Sequence, residues 1–230
     1  MQAITLPIAR QMAGHLSGDH SLDVLEVGCG DRPLTPLVRS NTWTGIDINL
    51  DSLSRTDPAL RRCAADMTVL PFRDECFDAI LSFSTLQYVD YEAAFAEFAR
   101  VLRPRGTLLL GENLAFNPIA RAFRLVTAFR ATARGGSAVT RTYLDPANST
   151  VLSSHFDSIS AEPFYLFTPL LFAISPQPAG SPKALLGHLA ADGLSRLDTA
   201  MMGPTLKRFP WMSLVVARRG GYDAPEARSS

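Results

Sequence analysis

Residues 23–31, Asp-Val-Leu-Glu-Val-Gly-Cys-Gly-Asp, limit what this chain can fold into more than any other stretch. Val24, Leu25 and Val27 make a short apolar run bounded by turn formers, the pattern of a strand buried on both faces of a parallel sheet. Gly28 and Gly30 end it. A residue without a Cβ lets the backbone turn tightly and lets a ligand lie directly against it, which is how a nucleotide-type ligand is held. About 19 residues on, Thr44-Gly-Ile-Asp47 closes a second short strand, Thr42 to Ile48, on a carboxylate, where a ribose diol finds its acceptor.

The alternation continues. Leu50 to Leu60 reads as a helix and loop, Arg62 to Ala65 as a third strand ending at Asp66, and Phe77 to Phe83 as a fourth. Tyr91 to Leu102 is an amphipathic helix through Ala94, Phe95, Phe98, Ala99 and Leu102, stopped by Arg103-Pro-Arg-Gly106 before a fifth strand at Thr107 to Gly111. Upstream, Ile4, Ile8, Met12 and Leu16 predict a helix of about 6–17, capped by Thr5 with Pro7 in its first turn and packed on the sheet edge. Strands alternating with helices predict right-handed βαβ units and a parallel sheet, with ligands at the carboxyl ends of the strands. Gly28, Asp47, Asp66 and Ser84 all fall at those ends, so one crevice is expected. A nicotinamide site is disfavoured, because its fingerprint would need glycine or alanine where Pro33 stands.

In these motifs the chain resembles the class I S-adenosylmethionine-dependent methyltransferases, of the small-molecule, type 11-like kind related to quinone and lipid-precursor methyltransferases. The resemblance rests on Leu25-Glu-Val-Gly-Cys-Gly30, on Gly45-Ile-Asp47, on Ala65-Asp66-Met67 with Leu70-Pro-Phe72, and on Leu102-Arg-Pro-Arg-Gly106 with Thr107 to Leu110. It covers about residues 20–112, with a weaker echo to 219. It implies a Rossmann-like α/β fold, a seven-stranded, mostly parallel sheet with helices on both faces and an antiparallel closing strand. It also implies S-adenosylmethionine as cofactor and methyl transfer to a small, partly apolar acceptor.

Carried over to this chain, the resemblance implies that Glu26, Gly28, Cys29 and Gly30 orient the loop and the methionine end of the cofactor. Asp47 then takes the ribose diol or caps a helix. Asp66 accepts from the adenine amino group or caps a turn, Ile48 and Met67 line the ring, and Ser84 closes the fourth strand. Arg32 stands where the family's third glycine is usual, and Gln87-Tyr88 where relatives often carry an acid and a histidine. Methyl transfer needs alignment more than an acid or base. If a base is used, the candidates are Tyr88, His155 and His188, with Tyr143 and Glu112 behind them; each also has a packing or helix-end reading. Arg32 and the lack of an identifiable base leave open a degenerate, cofactor-binding scaffold.

The second half is less regular. Residues 116–134 set Ile119, Phe123, Leu125, Val126 and Phe129 on one broad arc, with Arg121, Arg124, Arg130 and Arg134 on the rest. Such a helix either lies on an anionic membrane or acidic substrate, or packs in the core with a solvated basic face. Asp145-Pro146 opens a helix of about 146–154, a sixth strand is expected near 158–165, and Trp211 to Ala217 closes the sheet. Between 151 and 190 only Asp157, Glu162 and Lys183 are charged, which suits a substrate cap or a loop packed over the sheet. The expected organisation is one domain over 1–219, with a core at 20–112, helical and cap elements at about 114–209, a closing strand at about 210–218 and a disordered tail at 220–230.

Twenty-two basic and 22 acidic residues cancel, so no overall field recruits nucleic acid. Cys29, Cys63 and Cys76 lack the paired spacing of a zinc or redox site, so no metal is expected and the thiols are read as reduced. No signal-peptide core forms at the N-terminus, and the longest apolar run, Phe164 to Ile174, is interrupted and short of a membrane span. A cytoplasmic protein is the expectation.

Overall fold

The computed structural model describes residues 2–16, 22–34, 42–115, 117–133, 143–144, 146–164, 197–198 and 209–221. Seven strands form one sheet: β1 (Asp23–Val27), β2 (Thr42–Asp47), β3 (Arg61–Ala64), β4 (Phe77–Phe83), β5 (Leu102–Asn113), β6 (Ser158–Phe164) and β7 (Met212–Arg218). Their order is β3-β2-β1-β4-β5-β7-β6. The first five run parallel, whereas β7 is antiparallel to both β5 and β6. The chain steps outward from β1 to β3, then returns beside β1 as β4 and steps the other way. That reversal between β1 and β4 opens a crevice at the carboxyl ends of the strands.

The helices are α1 (Gln2–His15), α2 (Leu50–Arg55), α3 (Tyr91–Val101), α4 (Pro118–Ala133) and α5 (Pro146–His155). Alternation along the strands divides the core into two layers. Leu25, Ile80, Leu108 and Leu110 join Phe95 and Phe98 of α3 and Leu152 of α5 on one face. Val24, Ala79, Leu81 and Leu109 join Ile8 and Met12 of α1 and Ala120 of α4 on the other. This period of two, with both faces buried, accounts for the near-continuous apolar runs of the central strands.

Two expectations are corrected. The first helix begins at Gln2, so Thr5 and Pro7 lie inside it, and Ile8 and Met12 pack over the sheet's face rather than its edge. They close on Gly111, where a Cβ would lie 3.1 Å from Met12 Cε and 2.7 Å from Phe83. Secondly, Arg103–Gly106 is no free turn. It bulges within β5, which pairs Leu102 with Phe77 but Thr107 with Ala79, and Arg105 takes a φ of 64° to accommodate the surplus. Arg103 uses the bulge to donate to Asp78 at 2.5 Å and Asp23 at 3.0 Å, tying the amino ends of β1 and β4, opposite the crevice. The low-charge segment begins as the expected helix and strand: Val151–His155 belongs to α5 and β6 forms the sheet edge, where Pro163 costs no central ladder bond. Residues 165–190 of the expected cap lie outside the described residues.

The expected tail starts ordered, for the Arg105 amide donates to the carbonyls of Arg219 and Gly220. Residues 222–230 lie outside the described residues. Among the described residues no helix is long and apolar enough to cross a membrane.

Candidate functional site

Register brings the ends of four strands together. Val27 pairs with Ile46 and with Ser82, Asp47 with Ala64, and Phe83 with Gly111, so Gly28, Asp47, Asp66 and Ser84 all emerge on one rim. Gly28 and Gly30 have φ values of 68° and 56°, in the left-handed region where a side chain is strained. The turn they make is cross-linked. Gly30 donates its amide to Asp47 Oδ2 at 2.8 Å, and its carbonyl accepts from Thr56 Oγ1 at 2.8 Å. The Cys29 amide donates to the Ile46 carbonyl at 3.0 Å.

Glu26 is buried one residue before β1 ends and accepts the Leu34 amide on both oxygens, at 3.0 and 2.9 Å. A carboxylate within an apolar strand needs such a partner, and this one sets the path of the chain leaving Gly30. Asp47 also accepts the Asn49 amide through Oδ1 at 2.8 Å. Each of its oxygens therefore holds one backbone donor and keeps a further lone pair. The Cys29 side chain sits under the loop against Gly45. Burial, joined by the charges of Glu26 and Asp47, pushes its thiol up to about 12. It stays protonated, so Cys29 serves the site through its backbone.

Asp66 is exposed at the rim, with Oδ1 accepting the Thr68 amide and hydroxyl at 2.8 Å each, so it does cap a turn. Met67 is half-buried and Ile48 projects from the surface beside Asp47. The loop carrying Asp66 and Met67 is pinned to α3 by a pair the sequence reading missed. Leu70 donates its amide to Glu97 at 2.6 Å, and Arg100 donates to the carbonyls of Leu70 and Phe72 at 3.0 and 2.8 Å.

Ser84, with φ 57°, turns the chain out of β4 into a 3₁₀ turn, Leu86–Tyr88. Its hydroxyl accepts from Asn113 at 2.8 Å, and its carbonyl from Gln87 at 3.0 Å. Behind the turn lies Glu112, buried at the end of β5, whose Oε1 takes the amides of Thr85 (2.9 Å) and Leu86 (3.2 Å) and the Ser82 hydroxyl (3.5 Å). Burial pushes this carboxyl up to about 7, against the opposing pull of those donors. Thr85, so held, presses on Gly28: a Cβ there would sit 2.2 Å from its Cγ2.

The base candidates do not converge. Tyr88 is exposed at the end of the 3₁₀ turn. His155 ends α5 and faces Glu92, in the first turn of α3, at 3.3 Å, while Tyr143 lies under Arg124. His188 lies outside the described residues. Among the described residues no group of three or more metal-ligating side chains forms.

Residues 25–110 match a family model described as "Methyltransferase domain". The demethylmenaquinone methyltransferase of Mycobacterium marinum is 35% identical over 101 residues, 38% of this chain and 44% of that protein. The phthiotriol/phenolphthiotriol dimycocerosates methyltransferase 1 of Mycobacterium ulcerans is 35% identical over 107 residues, 42% of this chain and 40% of its own length. The match thus spans less than half the length of these curated relatives. Among solved structures, phosphoethanolamine N-methyltransferase 2 of Haemonchus contortus, in complex with S-adenosyl-L-methionine, superposes with a TM-score of 0.61 at 14% identity, over 92% of this chain and 52% of that one. Such low identity speaks for the fold alone; the family match rests on residues 25–110, the part of the chain that is similar to methyltransferase domains.

Proposed function

We propose that this chain moves the methyl group of S-adenosylmethionine to a small, partly apolar acceptor by in-line displacement. The observation that carries the reading is the junction of Gly30 with Asp47, an open glycine turn bonded at 2.8 Å to the carboxylate that ends the neighbouring strand. Such a junction fits an adenosyl ligand, with a turn flat enough for close approach and a double acceptor for a diol beside it. The bound cofactor supplies an electrophilic methyl on a sulfonium. The protein supplies position: Asp47 holds the ribose, Gly28 to Gly30 pass under the methionine end, Glu26 fixes the exit of that loop, and Ile48, Asp66 and Met67 flank the adenine. Alignment of the two reactants can contribute about 7–11 kcal/mol of barrier lowering, so position comes first, and a base helps only where the acceptor is a hydroxyl. The named substrates of the curated relatives, a quinone and a lipid, favour an acceptor with an apolar body.

Asp47→Ala is expected to weaken cofactor binding about ten- to hundredfold, the range for losing hydrogen bonds to a charged group. Titration calorimetry reads this, and unchanged affinity removes Asp47 from the site. For the reaction as a whole, the test is formation of S-adenosylhomocysteine with quinol, lipid-like and amine acceptors. A chain that does not bind the cofactor at all sinks the proposal.

A further inference from the structure

The outer face of α4 takes no part in the crevice. Ile119, Ala120 and Phe123 turn inward, with the Phe123 and Trp211 rings 5.7 Å apart. The apolar arc foreseen along this helix is therefore split. Leu125 is 72% exposed, Val126 49% and Phe129 76%, and Ala122 is exposed beside them. At 3.6 residues per turn these four side chains share about a third of the circumference. Arg121 borders that arc in solvent. Arg124 braces the helix from the inner side, its guanidinium 3.6 Å over the Tyr143 ring and donating to the Leu114 carbonyl at 2.9 Å.

Residues 114–144 contain five arginines and no aspartate, glutamate or lysine. Three large apolar side chains in one exposed patch, bordered by arginine and with no acid in the segment, match an interfacial helix better than a solvated one. Its position is apt as well. The helix starts five residues after β5 ends, where Asn113 bonds Ser84, so its first turn leaves from the rim of the crevice. We propose that the outer face of α4 docks on an anionic lipid surface, with Leu125, Val126 and Phe129 entering the headgroup boundary and Arg121 meeting lipid phosphate.

The docking face is separate from the cofactor crevice, so the two readings fail independently. The full chain is expected to sediment with vesicles containing phosphatidylglycerol at low salt, and several-fold less with phosphatidylcholine alone or at high salt. Phe129→Asp should cut partitioning at least about tenfold, and Arg121→Glu about fivefold, with melting temperature and cofactor affinity unchanged in both. Four results overturn the proposal: a wild type that stays in the supernatant with anionic vesicles, a Phe129→Asp variant that sediments equally well, one that melts lower because the ring is packed, and a wild-type dimer that this substitution converts to monomer.

Discussion

Gly28→Ala is expected to abolish measurable S-adenosylmethionine binding and to lower the unfolding free energy by about 2–5 kcal/mol. Two costs add. A Cβ at φ 68° carries about 1–2 kcal/mol of left-handed strain, and forcing a methyl into filled space costs about 1–3 kcal/mol more. The space is filled by Thr85, whose Cγ2 and Cβ would lie 2.2 and 2.9 Å from the new atom. Thr85 cannot step back cheaply, because its amide is bonded to Glu112 and its hydroxyl to Ser82 at 2.6 Å. Relief must come from Gly28, which would shift the loop that faces the ligand. Thermal melts and titration calorimetry read the two losses. Adding Thr85→Gly to Gly28→Ala removes the clash but not the strain, so part of the lost melting temperature should return. A Gly28→Ala protein that melts and binds like wild type would refute this account of the loop.

The same pair of residues shows how far the sequence could be read. Gly28 was legible because its reason is local: a strand of Val24, Leu25 and Val27 that must end, and a backbone that must turn. Thr85, which makes Gly28 obligatory, was not, because it lies 57 positions away and meets Gly28 only through the β1–β4 pairing. The fold was recovered well for that reason. Apolar runs, helix periodicity and turn formers are local signals, and right-handed crossovers leave few ways to arrange them. The errors arose where tertiary contact overrode them. Pro104 and Gly106 signal a turn, yet pairing with β4 kept Leu102 in the ladder and turned the surplus into a bulge. The broad apolar arc on α4 left a packed face and a surface-bound one both open, and the structure divides it between packed Ile119, Ala120 and Phe123 and exposed Leu125, Val126 and Phe129.

Charged residues within apolar strands were the most informative signal for the site, and their roles had to come from three dimensions. Glu26 and Glu112 each break a run of buried residues, which marks them as paired with something. Glu26 proves to hold Leu34, eight residues on, whereas Glu112 holds Thr85 and Leu86, whose amides no spacing rule connects to it. Thr56, Glu97 and Arg100 gave no signal of their own; an exposed-looking helix pair such as Glu97 and Arg100 reads as a solvated i,i+3 contact until the Leu70 loop is seen lying on it.

Glu112→Gln is expected to make the protein more stable at pH 8 while changing little at pH 4. The carboxyl is buried, and burial lifts it to about 7 from an ordinary 4.5. Below 4.5 the group is protonated whether the chain is folded or not, and its contribution is fully present. As the pH rises the unfolded chain gives up this proton first, so stability falls by about 1.4 kcal/mol per pH unit until the folded carboxyl also ionises near 7. The total is about 3 kcal/mol, spent between pH 4.5 and 7. Glutamine never ionises, and its single carbonyl oxygen can accept the donors of Thr85, Leu86 and Ser82 that now converge on Oε1. The difference in unfolding free energy between variant and wild type should therefore climb across that window and then level off, while titrations elsewhere in the chain cancel. Cofactor affinity should hold, since the turn behind Gly28 keeps its acceptor. Glu112→Ala should lose it, because two buried amides would be left without a partner at a cost of about 1–3 kcal/mol each. A stability difference that is flat with pH would show that the folded carboxylate is already well solvated, and Glu112 could not then be the buried brace of the turn.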